Sequence, residues 1–333
     1  MTKVTLIEGD GIGPEIMEAV KAIFAAANAP IEWDVQQMGK TTLASQGELI
    51  PQALIDSVTT NKIALKGPLE TPIGEGFRSV NVQLRQMFDL YANVRPCKTT
   101  EGIQTRFDNV DLVIFRENTE GLYSGLNIYD ERLQIADSLS RVTAKGSQRI
   151  VEAAFEYAHK NDRKKVTLVH KANILKESGR LMLDAGKVAS EKYPNIEFDD
   201  KIIDNMAMQL VVRPEQFDVI VTSNLFGDVL SDLCAGLVGG LGVVSGANIG
   251  EDVAVFEAVH GTAPDIAGKG WANPTAILRS ALLMLEYLEA RESAENITNA
   301  LNKTLKNKEL CTGDLGGKAG TMEFAQHIID RLV

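Results

Sequence analysis

Short apolar runs alternate with stretches of helical spacing from one end of the chain to the other, the rhythm of an α/β protein. Residues 4–7, 112–115, 166–170 and 219–222 are bounded apolar runs of strand length. Residues 14–27, 147–160, 177–192 and 275–290 repeat their apolar positions every three or four residues and predict helices. Val80, Leu84, Met87, Phe88 and Tyr91 predict the apolar stripe of a further helix starting near Ser79, with Asn81 and Arg85, four apart, on its flank. The run 219–222 leads into another helix, whose buried side is predicted to be Val229, Leu230, Leu233 and Leu237. The rhythm breaks at 124–142, where short polar pieces such as 133–136 have strand character but too little length for a lone hairpin in water. Such an arm, about 124–143, needs partners for its open edges. Pairing with the same arm of a second copy about a two-fold axis supplies them, so a homodimer is expected.

The chain has 333 residues, 44% of them hydrophobic and 24% charged, which suits one large globular unit or two lobes and argues against disorder. A formal net charge of −11, with no run of lysines or arginines, argues against a general nucleic-acid or membrane-surface binder. Cys97, Cys234 and Cys311 stand far apart without CxxC spacing, so a reducing compartment is expected rather than a disulfide framework or a zinc site. Met1 leads directly into the run 4–7 without a charged leader, and a cytoplasmic location is expected, or the mitochondrial matrix for a processed chain. The apolar stretch 229–244 is interrupted by Asp232 and by Gly236, Gly239, Gly240 and Gly242, and is too short to span a bilayer.

Against this acidic background the segment 79–123 carries Ser79, Asn81, Arg85, Arg95, Arg116 and Tyr123. A guanidinium offers a planar fork of donors that fits a carboxylate, so three converging arginines would suit a ligand with more than one acid group. Ser79 is either a plain helix cap or a hydroxyl facing an anion at the helix start. Gly9, Gly11 and Gly13 follow the first strand, but the spacing is GxGxG followed by Pro14, not GxGxxG, and the region 28–33 offers only Glu32 as a ribose-binding acid. A tight strand-to-helix turn with proline in the first helical turn is the better account. Asp228 and Asp232 stand one helical turn apart, a like-charge pair that costs roughly 0.2–0.5 kcal/mol unless a hard cation such as Mg²⁺ or Mn²⁺ reverses it. They suit either a metal site with Asp204 as a third oxygen ligand or an ordinary exposed acidic face. The segment His260, Gly261, Thr262, Ala263, Pro264, Asp265 and Ile266 is rich in turn residues and backbone donors. It is either a surface turn or a cradle for something flat and polar, in which Asp265 would accept from both ribose hydroxyls and repel a 2′-phosphate, favouring NAD over NADP.

Seven runs together carry a resemblance: GDGIGPE at 9–15, SVNVQLRQ at 79–86, DLYANVRP at 89–96, RENTEGLYSG at 116–125, VHKANI at 169–174, NLFGDVLSDL at 224–233 and HGTAPDIAGK at 260–269. As a set they resemble the β-decarboxylating dehydrogenases, the isocitrate/isopropylmalate dehydrogenase family, over nearly the whole chain. The resemblance implies an α/β, two-lobed fold that is not a Rossmann fold. Its large lobe would be 1–91 plus 239–333 and its small lobe 92–238, with a β clasp arm at a dimer interface and the active site in the cleft. Lobe closure would gate turnover.

The activity implied is NAD-dependent oxidative decarboxylation of isocitrate to 2-oxoglutarate and CO₂ with Mg²⁺ or Mn²⁺. By resemblance Ser79 and Asn81 hold the substrate's extra carboxylate and Arg85, Arg95 and Arg116 the other two. Asp228 and Asp232 bind the metal with Asp204 of a second copy of the chain. Lys171 of that copy takes part in removing the hydroxyl proton, and Tyr123 supplies a proton to C3. The cofactor falls to Thr71, Asn173, His260, the backbone of 261–264, Asp265, Ile266 and Asn273, with Lys66 and Glu75 on the substrate or nicotinamide side. NADP-linked relatives carry Lys and Tyr at positions 265 and 266 and read the phosphate with Tyr and Arg near 312–318, where this chain has neither and instead carries Gly313, Gly316 and Gly317. Homoisocitrate, 3-isopropylmalate and tartrate are rival substrates, and a non-catalytic regulatory role is the rival to catalysis.

Overall fold

The computed structural model of the chain describes residues 1–70 and 79–333, with Thr41 by its backbone alone. Thr71 and Glu75 lie outside the described residues. The described strands are β1 Thr2–Ile7, β2 Ile31–Gln36, β3 Ile63–Lys66, β4 Ala92–Lys98, β5 Asp111–Glu117, β6 Gly121–Asp130, β7 Ile135–Arg141, β8 Lys165–His170, β9 Glu197–Ile202, β10 Val219–Thr222, β11 Ser245–Ile249 and β12 Ala254–Ala258. Ten of them form one sheet in the order β2-β1-β3-β12-β11-β4-β5-β10-β8-β9. Its two wings are parallel, but β12 to β11, β11 to β4 and β4 to β5 are antiparallel. These central pairings separate it from the all-parallel doubly wound dinucleotide fold.

Inner strands of the parallel wings, such as β3 and β10, are buried along their whole length because both faces are covered, whereas the edge strands β2 and β9 carry polar, partly exposed residues. On one face of β5 and β10, Val113, Phe115, Val219 and Val221 pack with Ile150, Ala154 and Phe155 of the helix Ala144–Lys160. On the other face Leu112, Ile114 and Ile220 meet Met206 and Leu210 of the helix Ile203–Val212 and Leu230 and Cys234 of the helix Asn224–Leu237. The other wing has a separate core in which Leu6, Leu65 and Phe256 meet the helices Gly13–Ala26, Thr275–Tyr287 and Thr321–Ile329.

The first strand-to-helix turn contains Gly9 at φ +83° and Gly11 at φ +61°, and Pro14 stands in the first turn of its helix. A Cβ on Gly9 would lie 2.3 Å from the Pro68 carbonyl oxygen and one on Gly11 2.1 Å from that of Thr262. The glycines therefore serve close packing of backbones, which agrees with rejecting a Rossmann loop.

Several expected details change. The helix Val80–Met87 stops before Tyr91, because Asp89 turns left-handed at φ +44° and the Leu90 N–H donates back to the Arg85 carbonyl at 2.8 Å. Met87 is exposed, and Tyr91 instead lies beneath the Arg149 guanidinium. Ser79 occupies the N-cap position, but its side chain makes no capping hydrogen bond. Val229, expected on the buried side of its helix, is 60% exposed. Leu133 belongs to the turn between β6 and β7, with its N–H donating to Asp130. These two strands form a ribbon separate from the main sheet, and Ile128, Tyr129, Ile135 and Leu139 on it are exposed.

Candidate active site

Strand register places a row of polar side chains across the middle of the sheet. Lys66 at the end of β3 stands beside Glu257 of β12, and Asn248 of β11 stands beside Asn93 of β4, which in turn faces Arg116 of β5. Glu257 is buried and accepts from Lys66 Nζ at 2.7 Å, from Arg85 Nη2 at 3.3 Å and from Asn248 Nδ2 at 2.7 Å. Asn248 Oδ1 accepts from Asn93 Nδ2 at 2.9 Å and from Asn118 Nδ2 at 3.0 Å, and Asn93 Oδ1 accepts from Arg95 Nε at 2.8 Å. Burial alone would raise the Glu257 pKa, yet Lys66, Arg85 and the Asn248 donor hold it far below the ordinary carboxylate value.

This network lines a cavity of about 180 Å³ bounded by Lys66, Asn81, Arg85, Asn93, Arg95 and Glu257 and closed on one side by His260 and Gly261. The Asn81 Oδ1 inside it is buried without a hydrogen-bond partner. Arg116 adjoins the cluster. Its side chain is 1% exposed, and Nε and Nη2 donate to Asn224 Oδ1 at 3.0 and 2.7 Å. The closeness of Gly227 to the Arg116 stem, 2.5 Å from a built Cβ to Cγ, shows why only glycine fits one turn of that helix. Burial draws the Arg116 pKa down to about 10 against the opposing pull of Asp228, and burial with the neighbouring Arg85 lowers that of Arg95.

Asp228 and Asp232 stand at the edge of this cluster. Asp228 accepts from Arg116 Nη1 and from the Tyr123 hydroxyl, and Asp232 accepts from Arg95 at 3.3 Å. Although burial opposes it, Arg116 and Tyr123 keep the Asp228 pKa below its usual value, so it is ionised at neutral pH. Burial, together with the bond to Asp228, raises that of Tyr123 and keeps the phenol protonated.

A second cavity, of about 640 Å³, shares His260 and Gly261 with the first. Ala263, Ile266 and Asn273 line it, as do Trp271, Asp314 and Lys318, three residues outside the sequence-level candidates. Asn273 Nδ2 donates to Asp314 Oδ2 at 2.9 Å. The His260 Nδ1 lies 2.9 Å from the Gly261 carbonyl, which fixes the proton there and leaves Nε2 as an acceptor, buried and without a partner. Burial lowers the His260 pKa, so the ring is neutral. Pro264 and Asp265 are exposed on the single turn Pro264–Ile266, and Thr262 is buried with its carbonyl accepting from Ile12.

Three expected residues stand elsewhere in the chain. Lys171 donates to Asp204, whose pKa this hydrogen bond lowers, and neither lines a cavity described above. Asn173 is exposed nearby. Among the described residues no three His, Cys, Asp or Glu side chains converge as a metal would require, so Asp204 does not join Asp228 and Asp232 within one chain. Ser79 is not among the residues lining the small cavity. Sequence reasoning missed Glu257, Asn93, Asn248 and Asn224. Their common signal is a lone polar residue in or beside an apolar run, which costs free energy unless it is bonded.

An α/β protein that joins an arginine-lined pocket suited to acids to a larger, mostly apolar cavity belongs by architecture among the cofactor-linked enzymes of small acids. The chain belongs to the isocitrate/isopropylmalate dehydrogenase family, whose model matches residues 3–328. It is 52% identical over 332 residues to the probable alpha subunit of mitochondrial isocitrate dehydrogenase (NAD) of Drosophila melanogaster, covering 99% of this chain and 87% of that protein. It is 49% identical over 331 residues to a regulatory subunit of mitochondrial isocitrate dehydrogenase (NAD) of Dictyostelium discoideum, covering 99% and 92%. The crystal structure of isocitrate dehydrogenase from Methylococcus capsulatus matches with a TM-score of 0.96 and 50% identity, covering 99% of each chain.

Glu257→Gln tests the centre of the network. Removing one partner of a buried ionic cluster costs about 3–5 kcal/mol, and urea unfolding near neutral pH should show a loss of that order. The folded pKa is depressed, so the stabilisation is complete above the unfolded value of about 4.3 and is lost as pH falls from there toward the folded value. The wild type should therefore lose stability more steeply than the variant over that acid range. Equal stabilities and parallel pH profiles would count against the role assigned to Glu257.

Proposed function

We propose that this chain catalyses the NAD-linked oxidative decarboxylation of isocitrate to 2-oxoglutarate and CO₂, with Mg²⁺ or Mn²⁺. The observation that carries the substrate choice is a charge balance. Lys66, Arg85, Arg95 and Arg116 face Glu257, Asp228 and Asp232, which leaves one positive charge. A divalent ion raises the excess to three, the number of carboxylates on isocitrate. 3-Isopropylmalate has one carboxylate fewer, and its isopropyl group would leave polar atoms such as the Asn81 oxygen unpaired, at about 1–3 kcal/mol each.

Asp228 and Asp232 are the hard oxygen donors that fit the metal. They are ionised or exposed and one turn apart, and each is balanced by an arginine that a substrate carboxylate can take over. His260 Nε2, a buried acceptor without a partner, fits a donor on the dinucleotide, and Asp265 at the rim fits the ribose hydroxyls. When bound, the metal supplies Lewis acidity at the substrate's hydroxyl and α-carboxylate, and NAD accepts the hydride. Arg85, Arg95 and Arg116 orient the carboxylates, with Ser79 and Asn81 taking the third. Tyr123, protonated at neutral pH, delivers its hydroxyl proton to C3 after CO₂ has left.

Lys171 and Asp204 complete the site from a second copy, as the proton acceptor for the substrate hydroxyl and the third metal ligand. Support comes from exposed apolar side chains on the elements concerned: Ile174 at 69% close after Lys171, Val212 at 62% on the helix of Asp204, and Val229 at 60% next to Asp228. With the ribbon of β6 and β7, this face fits a homodimer. The hydrophobic clusters, whose buried residues fall either within 4–90 plus 247–328 or within 92–244, support a division into a large lobe, 1–91 plus 239–333, and a small lobe, 92–238. The residues assigned to chemistry are all present, which favours a catalytic over a regulatory chain. The curated relatives named above are mitochondrial. The matrix and the cytoplasm, both reducing, suit three buried free thiols.

Initial rates with NAD and Mg²⁺ test the activity. The purified chain should turn over isocitrate with a kcat/KM at least about 100-fold above that for 3-isopropylmalate and should lose activity to a chelator. No turnover by the chain alone would favour the regulatory role. The double change Asp265→Lys with Ile266→Tyr should move the kcat/KM ratio toward NADP, and an unchanged ratio would remove that loop from cofactor choice. Inactive Lys171→Met and Asp228→Asn proteins, unfolded and refolded together, should regain about a quarter of wild-type activity, since half the dimers are hybrids with one intact site. No recovery would contradict sites shared between chains.

A further inference from the structure

A cavity of about 730 Å³ lies away from both sites just described, between the loop after β4 and the helices Thr275–Tyr287 and Arg291–Leu305. Its walls include Pro96, Leu282, Leu283 and Leu301, and Arg279 reaches it from the first of the two helices. Arg279 donates to the Val243 carbonyl at 2.5 Å and to Thr100 Oγ1 at 2.7 Å, both neutral acceptors. Among the described residues no carboxylate lies within ion-pair distance of it. By contrast Arg85, Arg95, Arg116, Arg149 and Arg163, also withdrawn from solvent, each face a carboxylate.

The acids near the cavity are engaged elsewhere or set apart. Glu101 pairs with Lys306 at 2.6 Å, and Asp111 pairs with Lys98. Glu286 lines the cavity, but burial raises its pKa and the cation that acts on it is Arg291, not Arg279. Lys303 adds a further positive charge to the lining. A cation partly withdrawn from water without a counter-ion is costly, and an anion arriving to pair with it would offset that cost. Burial accordingly pulls the Arg279 pKa down to about 10, with no acid opposing it.

We propose that this cavity binds a small organic anion, its phosphate or carboxylate gripped by Arg279 and its apolar body laid against Leu282, Leu283 and Leu301. The volume lies within the range of roughly 300–1,000 Å³ usual for small-molecule sites, and the apolar walls favour an anion with a body over a bare inorganic ion. Val243, which holds the guanidinium, adjoins Gly242, a wall residue of the cavity assigned to the dinucleotide. The proposal stands independently of the substrate assigned to the arginine pocket.

Calorimetric titration with phenyl phosphate, phenylacetate and inorganic phosphate, in the presence of excess isocitrate to occupy the arginine pocket, provides the test. The wild type should bind one equivalent of phenyl phosphate or phenylacetate more tightly than inorganic phosphate. Arg279→Gln should weaken that binding at least about tenfold, and Arg279→Lys, which keeps the charge but loses the fork, should weaken it less. The stronger of the two organic probes identifies the class as phosphate ester or organic acid. Activity on isocitrate without added anion should stay within about twofold in both variants, as expected for a distant site. Binding that is equal in wild type and variants, or that isocitrate displaces completely, would overturn the proposal. So would a change in assembly mass on Arg279→Gln without any binding by the wild type, because Arg279 would then serve a contact between copies.

Discussion

A single buried carboxylate, Glu257, sets the electrostatics on which the site depends. Burial lowers the proton affinity of Arg95 and Arg116, and Arg85 lowers both further, as Arg95 does that of Arg116. Without a fixed negative charge among them they would repel one another toward solvent. Glu257 binds two of the cluster's cations, Lys66 and Arg85, and Asn248 carries its hydrogen-bond network on to Asn93 and Arg95. The acid compensates the cluster only in part. Enough positive charge remains unanswered to attract a polyacid, and the guanidiniums are already oriented when it arrives.

The antiparallel centre of the sheet makes this arrangement possible. In a wholly parallel sheet the polar ends of successive strands gather at one edge, whereas here β4 and β11 present mid-strand residues to a cavity on one face. Asn93 and Arg95 alternate with Val94, which packs against apolar cores on the opposite side. The same strands thus carry a rigid apolar face and a fully bonded polar face. A register slip of one residue in β4 would exchange the two and destroy both the core and the site.

Much of the fold could be read directly from the chain. Strands such as β8 and β10 are apolar on both faces, and their runs are unmistakable. The helix starting at Val80 was also legible, but its end was not. The stop depends on a left-handed aspartate at 89, a conformation that asparagine and aspartate tolerate but that no apolar pattern announces. Val229 was misplaced for a different reason. An apolar residue at helical spacing is read as core, yet here it faces outward with Leu225. In the site, the arginines stood out because they gather with Ser79, Asn81 and Tyr123 in one short segment of an acidic chain. Glu257 did not, because one acid inside a five-residue strand carries no periodicity. Lys171 was recognised by resemblance alone, and Asp204 otherwise only as an acid after an apolar run, since nothing within one chain brings them to the cavity that holds Arg85 and Arg95.

The most direct measurement is a crystal structure of the protein with isocitrate and Mg²⁺. The account predicts the three carboxylates on Arg85, Arg95, Arg116 and the Ser79–Asn81 side of the pocket, the ion on Asp228 and Asp232, and Glu257 still bound to Lys66 and Arg85. Isocitrate bound elsewhere, or Glu257 displaced from its cations with the arginines turned to solvent, would contradict it.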